Sequence, residues 1–300
     1  MKVIITGANG FLGQYLSRFL LSKGHEVVAT GKGPVRYDLS TAPGFHYFSL
    51  DITSAAAFSD LALVHSDANV LIHAAAMSEV DECEREKDKA YQTNVTGTEN
   101  ALAFAAAHSL RFLFISTDFV FDGDKGMYRE DDPVAPVNYY GWTKKLAEDL
   151  VFRHIHPWLV IRTCLVYGNA LSGTRSNIIT WVKANLKAGK NIKVVSDQVR
   201  TPTHVEDLAH GVIAAMEQEA TGVYHISGGE VLTPYDMALA TARMLHLDPT
   251  LIEKVDASVF TQLGKRPLRT GFIIDKAKRA LDYHPMSFEE GIRKMFPDVE

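Results

Sequence analysis

Only two cysteines, Cys83 and Cys164, occur among 300 residues, and they lie far apart in the chain. That spacing excludes a disulfide framework and a clustered thiolate metal site, and it predicts a reduced, cytoplasmic setting. Long hydrophobic runs are missing too. The first apolar stretch, "KVIIT", is stopped after a few residues by Gly7, so neither a membrane span nor a signal peptide is expected. Charge of one sign is absent: 31 Lys and Arg against 36 Asp and Glu leave a net of −5, which gives nucleic acid or an anionic membrane little to hold. There are no repeats and no low-complexity segment. What remains is 46% hydrophobic and 22% charged, an ordinary globular composition with apolar material for one large domain or two modest ones.

The apolar material alternates between two patterns. Lys2 to Thr6 and His25 to Thr30 read as buried strands, as do stretches near 46–51, 69–73, 111–116 and 158–164. Between them, helical spacing appears at Phe11 to Ser22 and near 54–63, 87–108 and 140–153. Strand and helix in strict alternation predict an α/β fold, a doubly wound parallel sheet with its ligand crevice at the carboxyl ends of the strands. Beyond about residue 165 the rhythm loosens. Helices are expected near 174–188, 204–217, 234–246 and 287–295, with short strands near 192–195, 223–226 and 271–274. The chain therefore divides into a dinucleotide-binding domain over 1–165 and, over 166–300, a smaller lobe partly interleaved with it.

The first turn carries the sharpest local signal. In "TGANGFLG", glycines recur at Gly7, Gly10 and Gly13 between a strand and an amphipathic helix. Such a turn lets backbone amides approach a pyrophosphate and aims a helix amino terminus at it. Gly7 supplies the turn conformation, Gly10 clears space for phosphate and Gly13 permits close helix–strand packing. With Asn9, Phe11 and Leu12 these residues are predicted to bind the cofactor. No acidic residue ends the second strand, where an NAD-preferring site would place one on the ribose. Lys32 stands there instead, either meeting a 2′-phosphate or serving as a solvated loop lysine, so NADP(H) is favoured over NAD(H). Small residues at Ala74, Ala75 and Ala76 after the fourth strand let the chain pass close to a cofactor, or pack beneath a helix.

Further along, "NYYGWTKKLAE" places Tyr140 and Lys144 four apart on one helical face. An ammonium beside a phenol favours the phenolate and brings its acid–base chemistry towards neutral pH, and it also holds a ribose hydroxyl. The fifth strand ends in Ser116, Thr117 and Asp118, and the hydroxyl of Thr117, or alternatively of Ser116, can donate to a substrate oxygen. Arg200 and Arg266 suit a substrate pyrophosphate, or pair with acidic neighbours. His73, His204 and His225 read as packing or capping groups, and Glu79, Asp81, Glu82 and Glu84 as a solvated acidic face. No metal site is expected.

The glycine spacing resembles the extended short-chain dehydrogenase/reductases. The segments "ISTDFVFDG", "YREDDPVAPVNYYGWTKKLAE", "IRTCLVYG", "DQVRTPTHVEDLA", "GVYHISGG" and "RPLRTGFIIDKAKRALDY" follow the order found in dTDP-4-dehydrorhamnose reductase and its relatives. The resemblance implies a Rossmann-type domain, a nicotinamide cofactor, a nucleotide-sugar substrate and reduction of a 4-keto sugar. It assigns catalysis to Thr117, Tyr140 and Lys144, with Ser116 the alternative donor to Thr117. It places Asp51 and Ile52 at the adenine, although Asp51 also suits a helix cap, and Ser78, Val80 and Asp118 near the sugar. Two positions depart: Leu165 stands where these reductases often carry tryptophan, and Arg200 where a small residue is usual. A homodimer through the helices at 87–108 and 140–153 is implied as well. An NAD-dependent epimerase or dehydratase of the same superfamily is one alternative. Another is a non-catalytic regulator, since "RTPTHVEDLA" and "YREDDPVAP" are also similar to the regulatory β subunit of methionine adenosyltransferase.

Overall fold

A computed structural model describes residues 1–65, 67–172 and 176–298. The chain begins as β1 (Lys2–Thr6), α1 (Phe11–Ser22), β2 (Glu26–Gly31), β3 (Phe45–Ser49), α2 (Ala55–His65) and β4 (Val70–His73). It continues as α3 (Val80–Arg85), α4 (Lys87–Tyr91), a π-helical turn (Gln92–Thr96), α5 (Gly97–Ala107), β5 (Arg111–Thr117), α6 (Tyr139–Val151) and β6 (Trp158–Thr163). The remainder is β7 (Val166–Tyr167), α7 (Ile178–Lys187), β8 (Ile192–Val195), β9 (Thr203–His204), α8 (Val205–Glu217), β10 (Gly222–His225), α9 (Pro234–Met244), β11 (Ile252–Val255), α10 (Asp275–Leu281) and α11 (Phe288–Met295).

Seven strands form one parallel sheet in the order β10-β6-β5-β4-β1-β2-β3. The expected doubly wound fold is therefore present. Chain order reverses between β1 and β4, so the loops leaving those strands part and open a crevice at their carboxyl ends. Side chains alternate across each strand. In β1, Val3 and Ile5 join one core with Leu16, Leu20, Leu208 and Val212, while Ile4 joins the other with Val28, Leu71, Phe112 and Phe114. Both faces are covered, which is why the strands read as continuous apolar runs.

The second half of the chain does two jobs. β10, α8 and α10 return to the large sheet. By contrast, α7, α9, α11 and the parallel pair β8–β11 build separate cores around Ile179, Met237, Ile292, Val182 and Val194.

Two expectations need correction, and one strand was not foreseen. The stretch 271–274 is no strand: Phe272 makes only an isolated bridge to Tyr128, its ring being used to stack on His225. The strand at 252–255, which pairs with β8, carries Glu253 and Lys254 and so lacked an apolar run. The predicted helix 87–108 is interrupted by the π turn, where Asn94 bonds both backbone groups of Met77 and Thr143 Oγ1. The helix expected at 174–188 is described from Ile178; positions 174 and 175 lie outside the described residues.

Candidate active site

The crevice is a continuous cleft of about 1060 Å³ running across the carboxyl ends of β1, β2, β4, β5 and β6. Every site residue expected from the sequence lines it, from Gly7 at one end to Arg266 at the other. What each does there differs sharply along its length.

At the glycine end, Gly7 has φ +74° and its Cα faces Ala75 so closely that a Cβ would sit 2.7 Å from the Ala75 backbone. A Cβ on Gly13 would lie 2.3 Å from Gly7 O. Glycine is thus required at both. The helix α1 that follows has no side-chain cap and no acidic residue in its first turn, so its amino-terminal N–H groups keep their partial positive charge for an anion in the cleft. Asn9 holds the neighbouring loop in place, donating to Pro34 O and Tyr47 Oη and accepting from Arg36 N.

Lys32 and Asp51 face each other at the end of β2, 2.8 Å apart. The ammonium, with hydrogen bonds from Thr53, holds the Asp51 carboxyl below the usual carboxylate range. Asp51 lines the cleft and closes a turn by accepting from Thr53 N, but it does not cap a helix: α2 starts at Ala55, where Ser54 Oγ accepts from Ala57 N. Arg36 also lines this end and is exposed. It went unnoticed in the sequence because no local pattern sets it apart within "GPVRYD"; only the Asn9 staple brings it round.

Between the two ends, Thr117, Tyr140 and Lys144 line the same cleft. Asn138 caps α6 by accepting from Gly141 N at 2.8 Å, which fixes where the helix begins and so where Tyr140 points. Tyr140 packs edge-on to Phe119. Lys144 is buried, donates to Ile115 O at 2.8 Å and lies 3.9 Å from the Phe114 ring centre. Burial pushes its pKa down to about 7, against the opposing pull of Glu148. The Thr117 hydroxyl donates to Asp118 Oδ1 and accepts from Phe119 N, while Ser116 donates to Glu148 Oε1.

At the far end the polar groups are already engaged. Arg200, expected to lean towards phosphate, is 4% exposed and donates to the carbonyls of Val199, Pro267 and Leu268 and to Gln198 Oε1. Its Nε lies 3.9 Å from Asp118 Oδ2. Arg200 thus takes the acidic-neighbour alternative and braces the cleft wall. Asp118 accepts from Thr117, Cys164 and Thr270, and burial raises its pKa despite Arg200. Arg266 donates to Asp81 Oδ1 and Gly264 O, and this holds Asp81 down to about 2. The acidic segment is accordingly no mere solvated face: Asp81 ties down Arg266, Glu82 ties Lys89, and Glu84 caps Tyr139 N. Leu165 lines the cleft at φ +38°, 39% exposed, a backbone conformation that a branched side chain seldom adopts. Ser78 and Val80 line the cleft as well, and Gln198, Thr93 and Lys89 join them, residues the sequence did not mark as site candidates.

The histidines behave as expected of interior groups. His73 bonds Thr6 and Thr98, His204 caps α8, and His225 stacks on Phe272; burial lowers the pKa of all three.

Comparison with known proteins matches the chain over nearly its full length. The spore coat polysaccharide biosynthesis protein SpsK of Bacillus subtilis is 31% identical over 98% of this chain and 96% of its own. The crystal structure of dTDP-4-dehydrorhamnose reductase from Bacillus anthracis in complex with NADP superimposes with a TM-score of 0.85, at 27% identity and 99% coverage of both chains. Methionine adenosyltransferase 2 subunit beta of Xenopus tropicalis is 29% identical over 94% of this chain and 91% of its own. The RmlD substrate binding domain profile matches residues 1–300, and the chain belongs to that family.

Proposed function

We propose that the protein is an NADPH-dependent reductase of a nucleotide-linked 4-keto sugar, akin to dTDP-4-dehydrorhamnose reductase. The observation that carries this is the convergence of Thr117, Tyr140 and Lys144 on one cleft whose other end is a glycine cradle and an uncapped helix amino terminus. The cradle fits a dinucleotide: backbone around Gly7, Gly10 and Gly13 meets the pyrophosphate, Asp51 and Ile52 the adenine side, and Ala74 to Ala76 the path between. When bound, the nicotinamide supplies the hydride. Lys144 holds a ribose hydroxyl and, as an ammonium, favours the phenolate form of Tyr140. Tyr140 gives its proton to the nascent alkoxide at C4 of the sugar, and Thr117 orients that oxygen. Lys32 and Arg36, two cations at the adenosine end, support NADP(H) over NAD(H).

Ser78, Val80, Leu165 and Arg266 line the sugar-nucleotide half, with the lobe over 166–300 supplying much of that wall. Dehydration is disfavoured, because the carboxylate next to Thr117 is taken up by Thr270, Cys164 and Arg200. A homodimer through α5 and α6 and a cytoplasmic setting complete the proposal, the latter supported by two buried, unbridged cysteines.

The test is consumption of NADPH with a panel of nucleotide-linked 4-keto-6-deoxy sugars. Tyr140→Phe is expected to lower kcat at least about 100-fold while NADPH binding persists. Conversion of substrate without net NADPH consumption would instead establish a redox-neutral epimerase. No conversion, together with capture of a methionine adenosyltransferase catalytic subunit, would establish a regulator.

A further inference from the structure

Behind the catalytic wall, away from the cleft, sits a buried ion pair. Glu148 on α6 is 1% exposed and Arg162 on β6 is 3% exposed. Arg162 grips the carboxylate with two donors, Nε to Oε1 at 3.0 Å and Nη2 to Oε2 at 2.7 Å. Its remaining nitrogen donates to Glu130 O, and its guanidinium lies 5.1 Å from the Phe121 ring centre. The carboxylate therefore has one orientation. Into that fixed carboxylate Ser116 donates its hydroxyl at 2.5 Å. Ser116 and Arg162 are register partners on adjacent strands, so the sheet itself sets this triangle.

Glu148 also stands one helical turn beyond Lys144, on the same face of α6. The titratable groups around Lys144 are Tyr140 and Glu148 on its own helix, His73 from β4 and, beyond Glu148, Arg162 from β6. His73 is fully buried, and its pKa lies at about 3, so it is neutral at working pH. Tyr140 is neutral in its proton-donating form. Lys144 donates to Ile115 O while Glu148 accepts from the adjacent Ser116, so the carboxylate lies near the ammonium on the protein side and its charge opposes the effect of burial.

We infer that Glu148 is a positioning residue for the reduction proposed above: clamped by Arg162, it supplies the counter-charge to Lys144 and fixes Ser116 as a hydrogen-bond acceptor. The second effect divides labour at the end of β5. With its single proton held by Glu148 at 2.5 Å, Ser116 offers only lone pairs to the cleft, whereas the Thr117 proton is shared with Asp118 at the longer distance of 3.1 Å and is the one that turns to a substrate oxygen. The first effect offsets the burial that drives Lys144 towards neutrality. The sign is fixed: removing the carboxylate lowers the Lys144 pKa further, so the ammonium is lost at lower pH.

The decisive measurement is an NMR titration of the lysine side chains, with the Lys144 signal identified by its disappearance in Lys144→Met. In Glu148→Gln the Lys144 midpoint is expected to fall by about one pH unit, and Glu148→Asp to recover most of that shift. In turnover, the high-pH limb of kcat/KM is expected to move down with it, an about tenfold loss on that limb. A Glu148→Gln midpoint equal to that of the unsubstituted protein overturns the inference. Should Glu148→Gln fail to fold because Arg162 is left unpaired, Glu148→Gln/Arg162→Gln removes both halves of that pair; the lost guanidinium, farther from Lys144 than the carboxylate, offsets only part of the effect, so a smaller fall of the Lys144 midpoint is expected and a midpoint that does not fall overturns the inference. The titration needs no turnover, so absence of reductase activity would sink the proposed function and leave this test in force.

Discussion

The two ends of the cleft are built on opposite principles. At the cofactor end the chain removes side chains: Gly7 and Gly13 press backbone against backbone, α1 begins uncapped, and the nearby cations sit at the surface. At the sugar end it does the reverse. Arg200, Asp118 and Arg266 are tied to each other's neighbours before any ligand arrives. A dinucleotide carries its own strong anion, so a bare cradle of N–H groups suffices to receive it. A sugar ring carries no charge of its own even when a nucleotide diphosphate bears it, and it must be oriented by walls that do not move, which requires a stiff, internally bonded frame. The contrast explains why cationic residue type alone misreads Arg200.

That contrast can be broken most forcefully at Arg200. Arg200→Ala leaves Asp118 buried without its counter-charge, and a destabilisation of about 3–5 kcal/mol is expected in thermal or denaturant unfolding. A variant of unchanged stability with only a raised KM for the nucleotide sugar would instead make Arg200 a ligand group. Next comes Gly13→Ala, where the added methyl meets the Gly7 carbonyl and Ala8. A loss of about 3 kcal/mol in stability is expected, with NADPH no longer protecting against unfolding at concentrations that protect the parent chain. The smallest effect sharpens the cofactor end alone. Arg36→Ala and Lys32→Ala are each expected to weaken NADPH binding about tenfold while leaving NADH unchanged, measured by fluorescence titration. Equal losses for both cofactors would remove the 2′-phosphate role.

How legible the molecule was in its sequence depended on distance. β1, α1 and the glycine turn follow from adjacent residues, because an apolar run, a helical stripe and a strained turn are local facts. Tyr140 and Lys144 were legible for the same reason, being one turn apart on α6. The strand β11 was missed because Glu253 and Lys254 interrupt its apolar character; partnership with β8, not composition, makes it a strand. The stretch 271–274 failed in the other direction, its apolar residues going to ring stacking and core packing rather than to a ladder. The π turn left no mark beyond a helical pattern, since it is the tertiary bond from Asn94 to Met77 and Thr143 that it serves.

By itself the sequence determined the doubly wound sheet, the place of its crevice and the residue types that meet there. Periodicity and turn chemistry act over a few residues and leave little choice about them. Tertiary structure alone decided which polar groups remain available to a ligand. Arg200 is consumed by carbonyls from Pro267 and Leu268, Asp118 by Thr270, and Ser116 by a carboxylate that Arg162 holds from the next strand. A hydrogen-bonding side chain has few donors or acceptors, and whether they are already spent depends on partners that only folding brings within 3 Å or so.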